Sequence, residues 1–465
     1  MIGASIQIKG TTLGTITDYN GQFSLNDVPA DGVLTVSYIG FNTEDIPVNH
    51  QKNLQIVMRE NAEQLEEVVV VAYGTAKKSS FTGSAEVVKQ DRIEKRVVAD
   101  VSKALEGTVA GVQSTSGSGQ PGEGASMIIR GFGSISAANT PLYVIDGVPF
   151  DGALNTLNPN DIESVTVLKD ASAGALYGSR GANGVILITT KTASKSDKVR
   201  VDFSASYGIQ QLERRVDVLS PEEWIDFRTA YNNYRYVEKY AAKGATANDD
   251  WETRLAMNGG KISYYYMNDP RWSQPNYGGL ALIDWQDEFF RLAPIQNYQL
   301  SVSNGNKNSK YRLSLGYIDQ QGVAIETSYK RLNLRANVES RLFDRITMGF
   351  NIAPTMTWNE GGSIEGKDQQ AQKVLSMCPI AEPEAGVYEG AEPYDSYLWA
   401  SSNVSPIAFM EQNVNHRENI NVNSSAYLKI DLLKGLKLEA TGSYIFSSQH
   451  RRIFTPSSVL KKWEV

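Results

Sequence analysis

Seven segments between residues 199 and 446 alternate apolar and polar side chains with a period of two, which limits the C-terminal half of the chain to antiparallel sheet. In 199–210 one face carries Val199, Val201, Phe203, Tyr207 and Ile209, and the other Arg200, Asp202, Ser204, Ser206 and Gln210. The segments 311–318, 332–339, 346–353, 422–432 and 436–446 behave alike, and 296–304 follows more weakly. A strand with one apolar and one charged face suits a wall between lipid and a wet lumen, though a strand of a soluble sandwich reads the same. The connections separate the two. In order they are long (213–294), short near Gly305, medium (319–328), short near Phe343, long (358–418) and short near Gly435. Short turns at one rim and long loops at the other are the asymmetry of an outer-membrane barrel, and a sandwich has no reason to keep it. Tyr207, Tyr298, Tyr311, Tyr317, Trp358, Tyr427 and Tyr444 lie within or beside these strands, where aromatic girdles sit.

Composition narrows the remaining classes. The longest strongly apolar run is Val68–Tyr73, far short of the roughly 18 residues a membrane helix needs, so a helical membrane protein is excluded and a barrel is not. Lys+Arg number 45 against 52 Asp+Glu, a net charge of −7, which disfavours nucleic acid as a partner. Cys378 is the single cysteine, and His50, His416 and His450 are far apart, so neither a disulfide nor a metal site is expected. No nucleophile–base set or carboxylate pair stands out, and the expectation is a non-enzyme without cofactor. No charged and apolar leader opens at Met1, which read literally points to the cytoplasm.

The N-terminal half reads as three further segments. Residues 1–60 carry short strands, with a turn at Asp18–Gly21 and a rich strand at Val33–Ile39, as in a small β-sandwich that begins in mid-domain. The string Asp18-x-Asn20-Gly21 lacks the later ligands of a calcium loop and is a plain turn. In 61–80 four consecutive valines, Val68–Val71, demand an extended backbone between polar flanks. Such a run is either a buried core strand or an exposed strand that joins a partner's sheet edge. Residues 81–195 are glycine-rich, with a helix expected over Ala99–Gly111 and a second over Ala171–Tyr177. Strands are expected at Ser126–Arg130, Leu142–Ile145, Ile162–Leu168 and Gly184–Lys191, with Asp146-Gly147 as a tight turn. Gly117–Gly122 matches GxGxxG as a string, but a loop precedes it and a strand follows, which is the wrong setting for a dinucleotide.

Almost end to end the chain resembles the SusC/RagA-type TonB-dependent outer-membrane transporters. Residues 1–60 resemble their carboxypeptidase regulatory-like domain in Gly10–Thr15, Gly21-Gln22-Phe23 and Ser37–Phe41. Leu65–Gly74 resembles the TonB box. The plug resemblance rests on Ala104–Gly107, Ala110–Val112, Ile129-Arg130-Gly131, Pro141–Pro149, Asn158–Ser164, Val167–Ala173 and Tyr177–Gly184. The barrel resemblance is mainly pattern, plus Asp284-Trp285-Gln286-Asp287.

The resemblance implies a mainly β fold. It comprises a small β-sandwich (1–60), a TonB-box linker (61–80), a mixed α/β plug (81–195) and the first part, seven strands, of an antiparallel transmembrane β-barrel (196–465). Family barrels have about 22 strands and the family carries a signal peptide, so the chain reads as a fragment truncated at both ends. The implied function is TonB-dependent import of a glycan or oligopeptide across the outer membrane of a Gram-negative bacterium. The implied partners are TonB with its inner-membrane energising complex, a SusD-like surface lipoprotein and outer-membrane lipid. Glu66, Glu67, Val68, Val69, Val70 and Val71 would bind TonB. Arg130, Lys169 and Arg180 are ligand-facing candidates in the plug, against the plainer role of holding plug loops and bridging plug to wall. Trp224, Trp251, Trp272, Tyr264–Tyr266 and Trp285 could stack on sugars or could pack the first long loop. A TonB-linked signal transducer and a β-rich surface adhesion protein are the alternatives.

Overall fold

The computed structural model describes the chain except residues 1, 12, 39–40, 59–67, 72–73, 78–84, 95–96, 118, 135–138, 170–174, 194–195, 344, 363, 365–368, 384–396, 400–403, 434 and 461–465. Glu66 and Glu67 therefore lie outside the described residues.

The first unit is an antiparallel sheet of β1 (Ser5–Ile8), β2 (Gly14–Ile16), β3 (Val33–Ser37) and β4 (Glu44–Pro47) in the order β2-β1-β3-β4. Ile6, Ile8, Leu34 and Val36 bury one face, and Phe23, Leu25, Leu54 and Ile56 cover it from extended segments. The valine run forms β5 (Val68–Val71), paired with β6 (Gly74–Lys77) from Val68↔Lys77 to Val71↔Gly74. Among the described residues the other edge of β5 pairs with nothing.

The plug sheet follows: β7 (Ala85–Lys89), a hairpin of β8 (Val112–Thr115) and β9 (Ser126–Ile129), then β10 (Leu142–Ile145), β11 (Val148–Phe150), β12 (Ile162–Leu168) and β13 (Val185–Thr190). The order is β11-β10-β13-β12-β7, with β10 and β13 parallel. Its core holds Val88, Ile93, Leu105, Met127, Val165 and Ile186. The helix expected over 99–111 is a single turn, Val101–Ala104, capped by the Asp100 side chain. Gly107 at φ +69° turns the chain out of the right-handed region before a second turn can form. The helix expected at 171–177 lies mostly outside the described residues. Residues Ala175–Gly181 are 3₁₀, broken by Gly178. The Asp146-Gly147 turn is as expected, with positive φ at both positions joining β10 to β11.

The seven alternating segments are β14 (Ser196–Gln210), β16 (Ala293–Gly305), β17 (Ser309–Gln321), β18 (Ser328–Leu342), β19 (Ile346–Glu360), β21 (Val414–Leu433) and β22 (Leu436–Phe454). They form one antiparallel meander in chain order, not two facing sheets. Each strand outruns its alternating segment. The short connections at 306–308 and 343–345 lie at one rim. The other rim carries 211–292 and 361–413, which meet through β15 (Ala281–Leu282) and β20 (Ile380–Ala381).

Polarity in this wall is inverted relative to a soluble sheet. Phe203 (69% exposed), Leu300, Leu315 (41%) and Leu334 form a cross-strand apolar row on the outer face. On the inner face Gln299, Ser301 (3%), Ser314, Arg331 (2%) and Asn333 are buried. Period two forces this: an apolar outer face leaves every second side chain for the interior, where the plug covers it. A charge on the outer face should therefore cost more than one on the inner face. Leu315→Arg is expected to destabilise the folded wall by about 2–4 kcal/mol and Asn297→Arg by less than about 1 kcal/mol. Heat-dependent gel mobility in lipid measures both, and equal losses would show that the outer face is not lipid-facing.

Candidate functional site

The inner face of β18 is where the plug is held. Tyr329, Arg331, Asn333 and Arg335 are alternate residues and so point the same way. The Tyr329 hydroxyl donates to Asn155 O at 2.8 Å. Its ring lies where a side chain on Gly122 (φ +72°) would be, 2.2 Å from a Cβ built there, so only glycine fits. Arg331 Nη1 donates to Ala99 O (2.6 Å), Asn155 O (2.8 Å) and Leu157 O (2.9 Å). One buried guanidinium thus ties the single-turn helix and the 154–157 turn to the wall. Arg335 Nη2 donates to Asp146 Oδ2 and Thr190 Oγ1, both at 2.7 Å. Asp146 also accepts from Thr190 N (2.8 Å) and Oγ1 (2.7 Å), so one carboxylate joins a hairpin tip, a strand end and the wall.

A second contact is built by Asn158–Asp161. Asn158 caps a one-turn helix that starts at Pro159, where the missing N–H costs nothing. Asn158 Nδ2 donates to Gln299 Oε1 at 2.7 Å, and Gln299 Nε2 donates to Asp161 Oδ1 at 3.2 Å. Asn333 Nδ2 reaches Asp161 Oδ2 at 3.4 Å. Gly316 of β17 makes room, since a Cβ there would lie 2.4 Å from Asn158 Nδ2. Thr355 of β19 donates to Thr156 O at 3.1 Å.

The sequence candidates fall elsewhere. Lys169 pairs with Glu86, which fastens the end of β12 to β7 inside the plug. Arg180 pairs with Asp151 at 2.5 Å, both largely exposed. Arg130 is exposed at φ +58°, and its N–H bonds Gly111 O at 3.2 Å. The described bonds of all three lie within the plug, and bridges to the wall come instead from Gln299, Tyr329, Arg331, Asn333, Arg335 and Thr355. Alternation over 332–339 put Arg335 and Asn333 on the polar face, but Tyr329, Arg331 and Thr355 lie beyond the alternating segments, and nothing local to β18 says which plug carbonyls they meet.

The aromatic residues of the long loops mostly form a core. Trp272 is buried with its indole N–H on Tyr397 Oη at 2.8 Å, and Trp285 is buried with its own on Cys378 O at 2.9 Å. Trp224 meets Trp272 edge to face, and Trp251 meets Trp399. Tyr264 and Tyr265 are each 39% exposed, flanked by Arg228 and Arg235 at 5.6 and 5.7 Å from the rings. Asp284–Asp287 is a structural signature. Asp284 caps the helix Trp285–Phe289, Gln286 brackets Val216 N and O, and Asp287 pairs with Arg215. Arg271 bridges the two loops to Asp269 (2.8 Å) and Glu382 (2.7 Å), and both carboxylates raise its pKa.

If Arg331 is the main fastener, Arg331→Met leaves three carbonyls without their charged donor. Plug docking should weaken by about 3–5 kcal/mol. Limited proteolysis of the plug should accelerate while the wall's heat-dependent gel mobility stays as in the wild type. Unchanged proteolysis would show that the other bridges suffice.

Residues 77–185 match the TonB-dependent receptor plug domain family, and residues 1–70 match the CarboxypepD_reg-like domain family. The chain is 35% identical over 404 residues to the TonB-dependent receptor SusC of Bacteroides thetaiotaomicron, covering 85% of this chain and 35% of that protein. It is 32% identical over 463 residues to the TonB-dependent receptor P3 of Formosa agariphila, covering 98% of this chain and 42% of that one. Among solved structures it superposes on the RagAB peptide importer in its open-open state with a TM-score of 0.66 and 28% identity, covering 82% of this chain and 42% of that one. The chain thus spans about two fifths of the length of these relatives. With a plug held against an inside-out sheet and these relatives, the chain belongs to the SusC/RagA-type TonB-dependent receptors.

Proposed function

We propose that the protein acts in TonB-dependent import of a nutrient, a glycan or an oligopeptide, across the outer membrane of a Gram-negative bacterium. The observation that carries this reading is the plug seated on the polar inner face of the wall through Arg331, Arg335 and Gln299. The names of the relatives support it: one set are TonB-dependent receptors and another is a peptide importer. In this reading residues 61–80 are the docking linker, 81–195 the gate and 196–465 the beginning of the barrel. The long-loop rim faces outward and meets a SusD-like lipoprotein, and the short-turn rim faces the periplasm.

TonB, driven by its inner-membrane complex, would add a strand to the open edge of β5. Backbone hydrogen bonds would supply affinity there, and the valines the extended propensity. Glu66 and Glu67 would flank that contact. Arg130, Lys169 and Arg180 are assigned to holding plug loops rather than to ligand, because Lys169 and Arg180 are paired with plug carboxylates.

Replacing Val68–Val71 with alternating Gly and Ser tests the coupling. Loss of extended propensity should weaken strand addition by about 2 kcal/mol or more. Growth on the imported nutrient as sole carbon source should cease while cell-surface binding of that nutrient persists. Thermal unfolding measured beside growth decides the alternative. A plug that unfolds in the variant would make the four valines core and remove their docking role.

A further inference from the structure

We propose that Arg417 and Arg451 form a carboxylate-reading subsite on the inner face of the wall, and that the imported nutrient carries a carboxylate there. The inference rests on the import reading above and names the chemistry of its cargo. The two arginines are direct cross-strand neighbours in β21 and β22. Each lies four residues from Asn421 or Ser447, whose row runs through Thr355 and Asn333 to the plug. An even offset keeps both side chains on that same inner face, and the direction of the offset is toward the long-loop rim.

Their own row locates the subsite. Gln320, Tyr329, Asn359, Arg417 and Arg451 are successive neighbours across five strands. The plug rests on the first two: Gly122 N donates to Gln320 Oε1 at 3.4 Å, and the Tyr329 ring lies against Gly122. Gln120 Nε2 of the same plug loop donates to Gly362 O at 3.0 Å. A Cβ built on Gly362 would lie 3.1 Å from Asn415 Nδ2, and Asn415 Oδ1 accepts from Arg451 Nε at 3.1 Å. The arginine pair thus continues the surface on which the plug loop sits.

Like charges directly opposite each other destabilise a sheet, so this pair calls for an anion. Among the described residues neither guanidinium has an ion-pair partner, and Arg417 Nε is buried with no hydrogen-bond partner. β21 is paired on both sides, so the strand neighbours of Arg417, Asn359 and Arg451, are both present. Glu418 and Glu360, next to Arg417 and Asn359 in sequence, alternate onto the outer face, where Glu360 pairs with His416 at 2.5 Å. Other inner-face arginines are answered: Arg331 by three carbonyls and Arg335 by Asp146. Beside the pair the wall offers amides, with Asn419 Nδ2 on Thr357 Oγ1 at 3.0 Å and Gln449 Nε2 on Asn419 Oδ1 at 2.8 Å. Guanidinium forks match a carboxylate, and the amides match the polar groups that adjoin it. Carboxylate is the anion common to both cargo classes: a uronate in a glycan, or the C-terminus or acidic side chain of an oligopeptide.

Retention of mixed digests tests this without knowledge of the natural cargo. The full-length protein, purified in detergent, is offered a pectin digest rich in uronate oligosaccharides and a protein digest of oligopeptides. Each digest is also offered with its carboxylates converted to neutral amides, and retained material is quantified by mass spectrometry. The wild type should retain one native digest, and which one it retains distinguishes uronate from peptide. Amidation of that digest, or the double variant Arg417→Gln with Arg451→Gln, should lower retention at least about tenfold. By heat-dependent gel mobility the double variant should be at least as stable as the wild type, because a repulsion has been removed. Equal retention of native and amidated digests, or undiminished retention by the double variant, would overturn the subsite and leave import standing. A less stable double variant would make the arginines structural and overturn the subsite as well. Retention of neither digest would overturn the subsite together with the glycan-or-peptide reading of import.

Discussion

A β-strand has two faces, and the wall of this protein turns its apolar one outward. Most of what the plug meets is consequently polar, apart from a small apolar contact of Ala99 with Ile295, Ile318 and Tyr329. The plug keeps its shape through its own apolar core, Val88, Ile93, Leu105, Met127 and their neighbours. Its attachment to the wall is of a different kind: directed hydrogen bonds from Tyr329, Arg331, Arg335 and Thr355, many of them onto backbone carbonyls. Apolar burial resists any displacement, whereas hydrogen bonds of net worth about 0.5–1.5 kcal/mol each can be exchanged for water one at a time. A domain so mounted can be released from its housing without first being unfolded.

The long-loop rim obeys the opposite rule. Its two loops close on an apolar and aromatic core in which the rings of Trp272, Tyr397 and Trp399 meet at tilted angles, with Cys378 sealed among them. In the first loop Arg254 is buried, donating to three carbonyls and to Asn233 Oδ1, with its guanidinium over the Tyr236 ring. This is the packing of a small soluble domain, and among the described residues it gives the loops a core of their own, where loops of such length are often structureless.

The parts legible in the sequence were those that follow from local pattern. The seven wall strands, their order and the Asp146-Gly147 turn all come from period two and turn chemistry. The valine run likewise had to be extended, and β5 is. Where local signals compete, reading failed: Val101, Leu105 and Val109 share a helical spacing, yet Gly107 ends the helix after one turn. The seam itself was not legible. Arg331 and Ala99 are separated by 232 residues, and nothing in the neighbourhood of either names the other. The tryptophans of the first loop illustrate the same limit. A ring that stacks on ligand and a ring that packs a loop have identical sequence signatures, and only the buried indole hydrogen bonds of Trp272 and Trp285 separate them.

Across the wall, Ser204, Gln299, Gly316, Asn333, Thr355, Asn421 and Ser447 are cross-strand neighbours in a single row. The row crosses all seven strands, and the plug's Asn158 rests on it at Gly316. Inserting one residue ahead of the row in any strand would rotate that strand's part of it onto the apolar outer face. Descent should therefore treat the two regions differently. Loops at the long rim can lengthen, shorten or be exchanged, but plug and wall can be inherited only together. A plug grafted from a relative would find its asparagine facing whatever that row had become.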